Sequence, residues 1–133
     1  MPQNNKLFAK EWIKRAEDDE LNLLSILKHR DGTPALACFL SHQTAEKYLK
    51  ALLVLYKGSS PKIHSLIKLV SLLKPYHSLI NNKLKKEVVF LEPYYIGTRY
   101  PADIPLESFH WNIAKKAYRA AKNVKKFVLG QIK

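Results

Sequence analysis

The sequence holds 133 residues, enough for one domain built on a single core. Lys and Arg number 23 against 11 Asp and Glu, and the resulting net charge of +12 points to an anionic partner: nucleic acid, a nucleotide or an acidic protein. The alternative is a basic surface that is merely solvated. Only four glycines and few β-branched runs argue against an all-β fold, no apolar run reaches the roughly 20 residues of a membrane span, and the single cysteine, Cys38, excludes an internal disulfide.

The polar start MPQNNKLFAKEW has no apolar leader segment, and with one cysteine it suggests a reducing, cytoplasmic setting. Asn4 or Asn5 can cap a first helix over Lys6–His29, with Phe8, Trp12, Ile13, Ala16, Leu23, Leu24 and Leu27 on its apolar side. In its middle, Glu17, Asp18, Asp19 and Glu20 form an acidic patch, read as a solvated face or a partner surface. Gly32 is placed to end this helix in the left-handed conformation. Thr33 and Pro34 suit the N-cap and first position of a second helix.

That second helix, through Tyr56, is the stretch around which the chain is organised. Ala37, Leu40, Ala45, Tyr48, Leu49, Leu52, Leu53 and Tyr56 make a wide apolar stripe. Gln43, Glu46, Lys47 and Lys50 share the other side. They suit a functional face, or a plain solvent stripe with Glu46 and Lys50 as an ion pair. A short, all-round apolar helix is expected over Ile63–Lys74, a further one over Leu79–Leu91, and a last one from Pro105 or Glu107 to Gly130. Between the last two lies EPYYIGTRYPADIPLE, a long aromatic and proline-rich connection of the kind that carries function. Short breaks between helices favour antiparallel neighbours. The expected fold is therefore all-α, an up-and-down bundle of four long helices and one short, forming a single domain over 1–133.

Metal chemistry has little support, since the histidines are scattered and no CxxC occurs, and neither a P-loop nor GxGxxG is present. Asp18 and Asp19 are adjacent on a helix and point about 100° apart, poor geometry for sharing a metal. Two further spots suit an anion. His64 stands near the start of the short helix, whose N-terminus offers N–H groups and positive partial charge. It is also a candidate general base, or simply a capping or packing side chain. Arg99, in Thr98-Arg99-Tyr100-Pro101, offers a planar fork for phosphate or carboxylate, and the neighbouring tyrosines offer rings for stacking on a base. The alternative for Arg99 is a staple to loop carbonyls or to Glu46.

Taken together, AEKYLKALL (45–53), IHSLIKL (63–69), YIGTRYP (95–101), the opening W-x3-A-E-D-D-x-L from Trp12 to Leu21, and the closing rhythm of Ala117, Ala121 and Phe127-Val128 resemble the HEPN domain. The resemblance spans nearly the whole chain. It implies an all-α bundle, usually a homodimer, often encoded beside a minimal nucleotidyltransferase as a toxin–antitoxin-like pair. Some HEPN proteins are metal-independent endoribonucleases with an R-x4-6-H motif, and others bind nucleotides without cutting RNA. This sequence departs from the nuclease pattern, because ten residues separate Arg99 from His110 and Arg119 has no histidine after it.

The expected function is a HEPN-type module that binds a nucleotide or RNA phosphate and acts with a nucleotidyltransferase, without a cofactor or metal. Gln43, Lys47, His64, Arg99 and Tyr100 are expected to line one cleft. Lys47 would neutralise phosphate, Arg99 would clamp it and Tyr100 would orient or stack. The alternatives are a metal-independent endoribonuclease using His64 and Arg99, and a non-catalytic structural dimer or adaptor.

Overall fold

A computed structural model describes residues 3–76, 80–100 and 103–132. Five helices carry the fold: α1 Gln3–His29, α2 Pro34–Lys57, α3 Leu66–Leu73, α4 Asn82–Leu91 and α5 Trp111–Gln131. No strand occurs among the described residues. Short 3-10 turns at Lys74–Tyr76, Glu92–Tyr94 and Leu106–Ser108 shape the connections. The molecule is the expected all-α bundle, with α4 cut to ten residues.

Helix α2 is the axis. It packs against α1, α3 and α5, and 16 of its 24 residues are buried, so it is interior on most of its circumference. Small side chains on the inner face of α5, Ala114, Ala117 and Ala121, let that helix lie close. Antiparallel packing of α1 on α2 is pinned at two levels: Lys47 bonds Asp19, and the Asn5 amide donates to the Leu55 carbonyl at 3.4 Å. Asn5 is therefore inside α1, whose helical turns begin ahead of the expected cap.

Between α2 and α3 the chain doubles back along α2. His64 lies beside Glu46, half-way along α2, and Tyr76 after α3 stacks on Tyr56 near its end, with centroids 5.6 Å apart. Helices α2 and α3 thus run the same way. Helix α4 then returns, and Tyr94 at its end meets Phe109 before α5.

The helix ends follow side-chain chemistry. Thr33 Oγ1 accepts from the Leu36 N–H at 3.1 Å with Pro34 behind it, as the sequence implies. Gly58 closes α2 at φ +84°, the left-handed conformation that glycine tolerates. Ser65, Asn81 and His110 cap α3, α4 and α5, so α3 and α5 start later than apolar content alone suggests. The expected start of α4 at Leu79 lies outside the described residues, as does Pro101. At the end of α1 it is Arg30, at φ +54°, that turns left-handed, and not Gly32. Its guanidinium sits 4.2 Å from the centre of the Trp111 ring, a contact that offsets the backbone cost.

The acidic patch of α1 divides. Glu17 and Asp18 face solvent, but Asp19 pairs with Lys47, and buried Glu20 accepts from the Tyr118 hydroxyl at 3.1 Å and from Lys125 at 2.8 Å. Half of the patch is thus an internal clamp joining α1 to α2 and α5.

Candidate functional site

Phe39, His42, Glu46 and Lys50 stand at helical spacing on one side of α2. The 58–65 connection brings His64 onto this side, and the turn after α4 brings Tyr95 and Arg99. The covering chain changes the character of α2's polar face. Glu46 and Lys50 retain only 3% and 5% of their exposure, so they are a buried ion pair at 3.0 Å and not a solvent stripe.

Glu46 is the hub of the charges. Its carboxylate takes the Lys50 ammonium on one oxygen and lies 3.1 and 3.2 Å from His64 Nδ1. A carboxylate only accepts, so Nδ1 carries a proton, and in the neutral ring Nε2 is the nitrogen with the lone pair. Among the described residues Nε2 has no protein partner, and the ring is about half exposed. The arrangement is that of an oriented base: a carboxylate fixes the tautomer, and the far nitrogen is available.

Behind this pair lies His42, fully buried, which composition and motif gave no reason to single out. Its Nδ1 is 3.3 Å from Gln43 Oε1 and 3.7 Å from Glu46. Burial lowers its pKa from the ordinary 6.5, against an opposing pull from Glu46. His42 is accordingly a neutral interior side chain above that pH.

Tyr95 is the platform of the site. The His64 ring stacks on it, with centroids 4.1 Å apart and planes 11° from parallel. Arg99 Cζ lies 5.1 Å from the same centroid and 5.8 Å from that of Phe39. His64 and Arg99, from segments 35 positions apart, therefore meet at one ring. Arg99 is exposed and has no carboxylate partner among the described residues. Its fork is held in place by ring contacts and remains open to an anion.

Two local devices hold the platform. Gly97 turns the chain tightly between Tyr95 and Arg99, its N–H donating to the Pro93 carbonyl at 2.8 Å. A Cβ there would stand 2.8 Å from that carbonyl oxygen, closer than carbon and oxygen can pack. Thr98 ties the turn back to the Tyr94 carbonyl at 2.8 Å. Glu92 joins the two covering segments, accepting from the Ser65 hydroxyl at 2.7 Å and from the Ile67 N–H at 3.1 Å. This carboxylate occupies the α3 N-terminus, the position that the sequence offered to a phosphate. The anion there is internal.

Not every expected residue joins the cleft. His64 and Arg99 come together, and Gln43 stands behind them against His42. Lys47 leans toward α1, bonded to Asp19, and lines a separate groove of about 560 Å3 with Trp12 and Arg15. Tyr100 is 56% exposed and makes no ring contact among the described residues, so the stacking position belongs to Tyr95. Nor does Arg99 staple to Glu46, which His64 and Lys50 already occupy. The sequence reads Glu46 as a polar-face residue, an ion-pair partner for Lys50 or a staple for Arg99, and Tyr95 as one of the tyrosines near Arg99. Their place beside Lys47 and Tyr100 in the same short motifs was the one available signal.

Fold and site together define a compact helical bundle with an aromatic-backed histidine and arginine, a class suited to holding an anionic ligand. The HEPN domain profile matches residues 9–131, and the chain belongs to the HEPN family. Two solved structures are similar throughout. TT1696 from Thermus thermophilus has 29% identity and a TM-score of 0.83, with 93% of this chain and 98% of that one covered. ST0689, an archaeal HEPN homologue, has 31% identity and a TM-score of 0.74, covering 94% and 98%. No curated protein matches the sequence. Among the described residues no helix is long and apolar enough to cross a membrane.

Proposed function

We propose that this HEPN domain binds the phosphate of a nucleotide or RNA at the Tyr95 platform. The observation that carries the reading is the meeting of His64 and Arg99 on one ring, with Glu46 fixing the His64 proton. Arg99 supplies the fork for phosphate oxygens, and His64 Nε2 accepts from a ribose hydroxyl beside it. Gln43 supports the cluster through His42. Tyr100 follows Arg99 at the edge of the site, and Lys47 belongs to the separate groove beside α1. The protein works as a homodimer in the cytoplasm, with a minimal nucleotidyltransferase as partner in a toxin–antitoxin-like pair. The family membership and the basic charge support this setting.

The Glu46–His64 pair favours one second reading, a metal-independent endoribonuclease. There His64 would take the 2′-hydroxyl proton, and Arg99 would stabilise the charge that develops on phosphorus-bound oxygen. Labelled RNA in EDTA separates the two. Cleavage lost in both His64→Ala and Arg99→Ala establishes the enzyme. Binding without cleavage, weakened by the same substitutions, leaves the module. Binding and cleavage both unaffected by either substitution would remove the site.

A further inference from the structure

Helix α5 holds Lys115, Lys116, Arg119, Lys122, Lys125 and Lys126 and no Asp or Glu. Among the described residues, only Lys125 of these six is in an ion pair, with Glu20. At 100° per residue Lys115, Arg119, Lys122 and Lys126 fall within about 60° of one another, a straight stripe about 17 Å long. All four are exposed. Like charges three and four apart destabilise a helix, and here no acid on the same helix relieves them. A feature that costs the fold and packs little, with only Lys122 resting 6.0 Å from the centre of the Tyr118 ring, is where a function is to be sought.

The surroundings define what fits. Two shallow grooves, about 430 and 400 Å3, meet along the stripe and share Lys116 and Arg119. The second adds Lys86 of α4 on its far wall. Its single carboxylate, Glu87, is bonded to Asn123 at 2.7 Å and leaves the lysines unneutralised. The first groove has only Ile113 as an apolar wall. A protein partner needs a desolvated apolar or aromatic anchor, and besides Ile113 this face offers only Phe90 and Ala120, in the second groove. A phosphodiester backbone needs only cations in a row. One strand of a duplex presents a charge about every 3.4 Å of axis, so the stripe spans roughly five phosphates.

We propose that this face of α5, with Lys86, docks the backbone of a nucleic acid strand, apart from the Tyr95 platform. It deepens the phosphate-binding reading by making the ligand a polymer that is held outside the site as well as in it. Contacts to phosphate alone carry no sequence information, so RNA and DNA strands are held alike on this face.

Fluorescence anisotropy with labelled RNA and DNA strands of about 20 nucleotides tests it, since each neutralised phosphate adds to the salt slope. The variant is Lys115→Glu/Arg119→Glu, and Lys6→Glu/Lys10→Glu on exposed α1 positions is the control with the same change in net charge. The proposal expects at least a tenfold loss and a salt slope shallower by about two in the α5 variant, and at most a threefold loss in the control. Neutral Lys115→Gln/Arg119→Gln gives the same order. Equal losses, no loss, or a wild type without salt-sensitive binding overturns it. Mononucleotide affinity reads the Tyr95 platform separately: Arg99→Ala abolishes it there, while the α5 variants leave it unchanged.

Discussion

At the scale of single residues, the site rests on a buried charge pair that stabilises only while both members are present. Taking Glu46 away leaves the Lys50 ammonium in the interior with only the face of Trp12, 5.4 Å off, to meet it. Glu46→Ala is expected to cost about 3–5 kcal/mol in urea unfolding, and Glu46→Leu/Lys50→Met to regain most of it. The double variant then isolates the second task of Glu46. With stability restored but His64 no longer oriented, ligand affinity stays low. His42 makes the fold sensitive to acid. Its pKa is lowered in the folded state, so the unfolded chain binds the proton more readily. The stability it protects is complete above about pH 6.5 and falls as pH drops below that value, by at most about 1.4 kcal/mol per pH unit. His42→Leu should flatten the pH dependence of unfolding between pH 6.5 and 5. An unchanged slope would mean that His42 is not held neutral. Cys38, its thiol pushed up to about 12 by burial, should resist alkylation until the protein unfolds.

At the scale of elements, the sequence is most informative where local chemistry decides. Thr33-Pro34 marks the start of α2, and Gly58 its end, because a cap and a left-handed turn are short-range requirements. The apolar stripe of α2 is legible for the same reason. The buried Glu46–Lys50 pair is not, since its neighbours come from other segments, His64 beside Glu46 and Trp12 of α1 beside Lys50. Periodicity sees one helix, while burial depends on its neighbours. Lys47 and Glu46 are adjacent in sequence and share a motif, yet α1 takes one and the site takes the other. Tyr95 and Tyr100 were likewise interchangeable until Gly97 set which of them faces α2. That turn gives the prediction for this scale. Gly97→Ala places a Cβ against the Ile104 side chain and the Pro93 carbonyl, so the turn is expected to shift and to draw Arg99 from the ring. The expected loss is about 1–3 kcal/mol in thermal unfolding, together with weakened ligand binding. Unaltered binding would show that Arg99 does not depend on the turn.

At the scale of the whole molecule, charge and fold divide the labour. The acids lie mostly in the first third of the chain, seven of the 11 at or before Glu46, and several are consumed inside the bundle. Asp19, Glu20, Glu46 and Glu92 each bond a partner on another segment. The excess cations stay on the outside, most densely on α5. Net charge of +12 thus reflects an interior that uses its acids as clamps and a surface that keeps its bases. The bundle holds two covering segments over α2, and they bring together one histidine and one arginine that the chain order separates. The direct test of that meeting is a salt-dependent titration of wild type, His64→Ala and Arg99→Ala with ATP and a short RNA. The account predicts binding by the wild type that weakens as salt rises, and a loss of at least tenfold in each variant with the fold intact by circular dichroism. Wild-type affinity in the folded Arg99→Ala variant would contradict it.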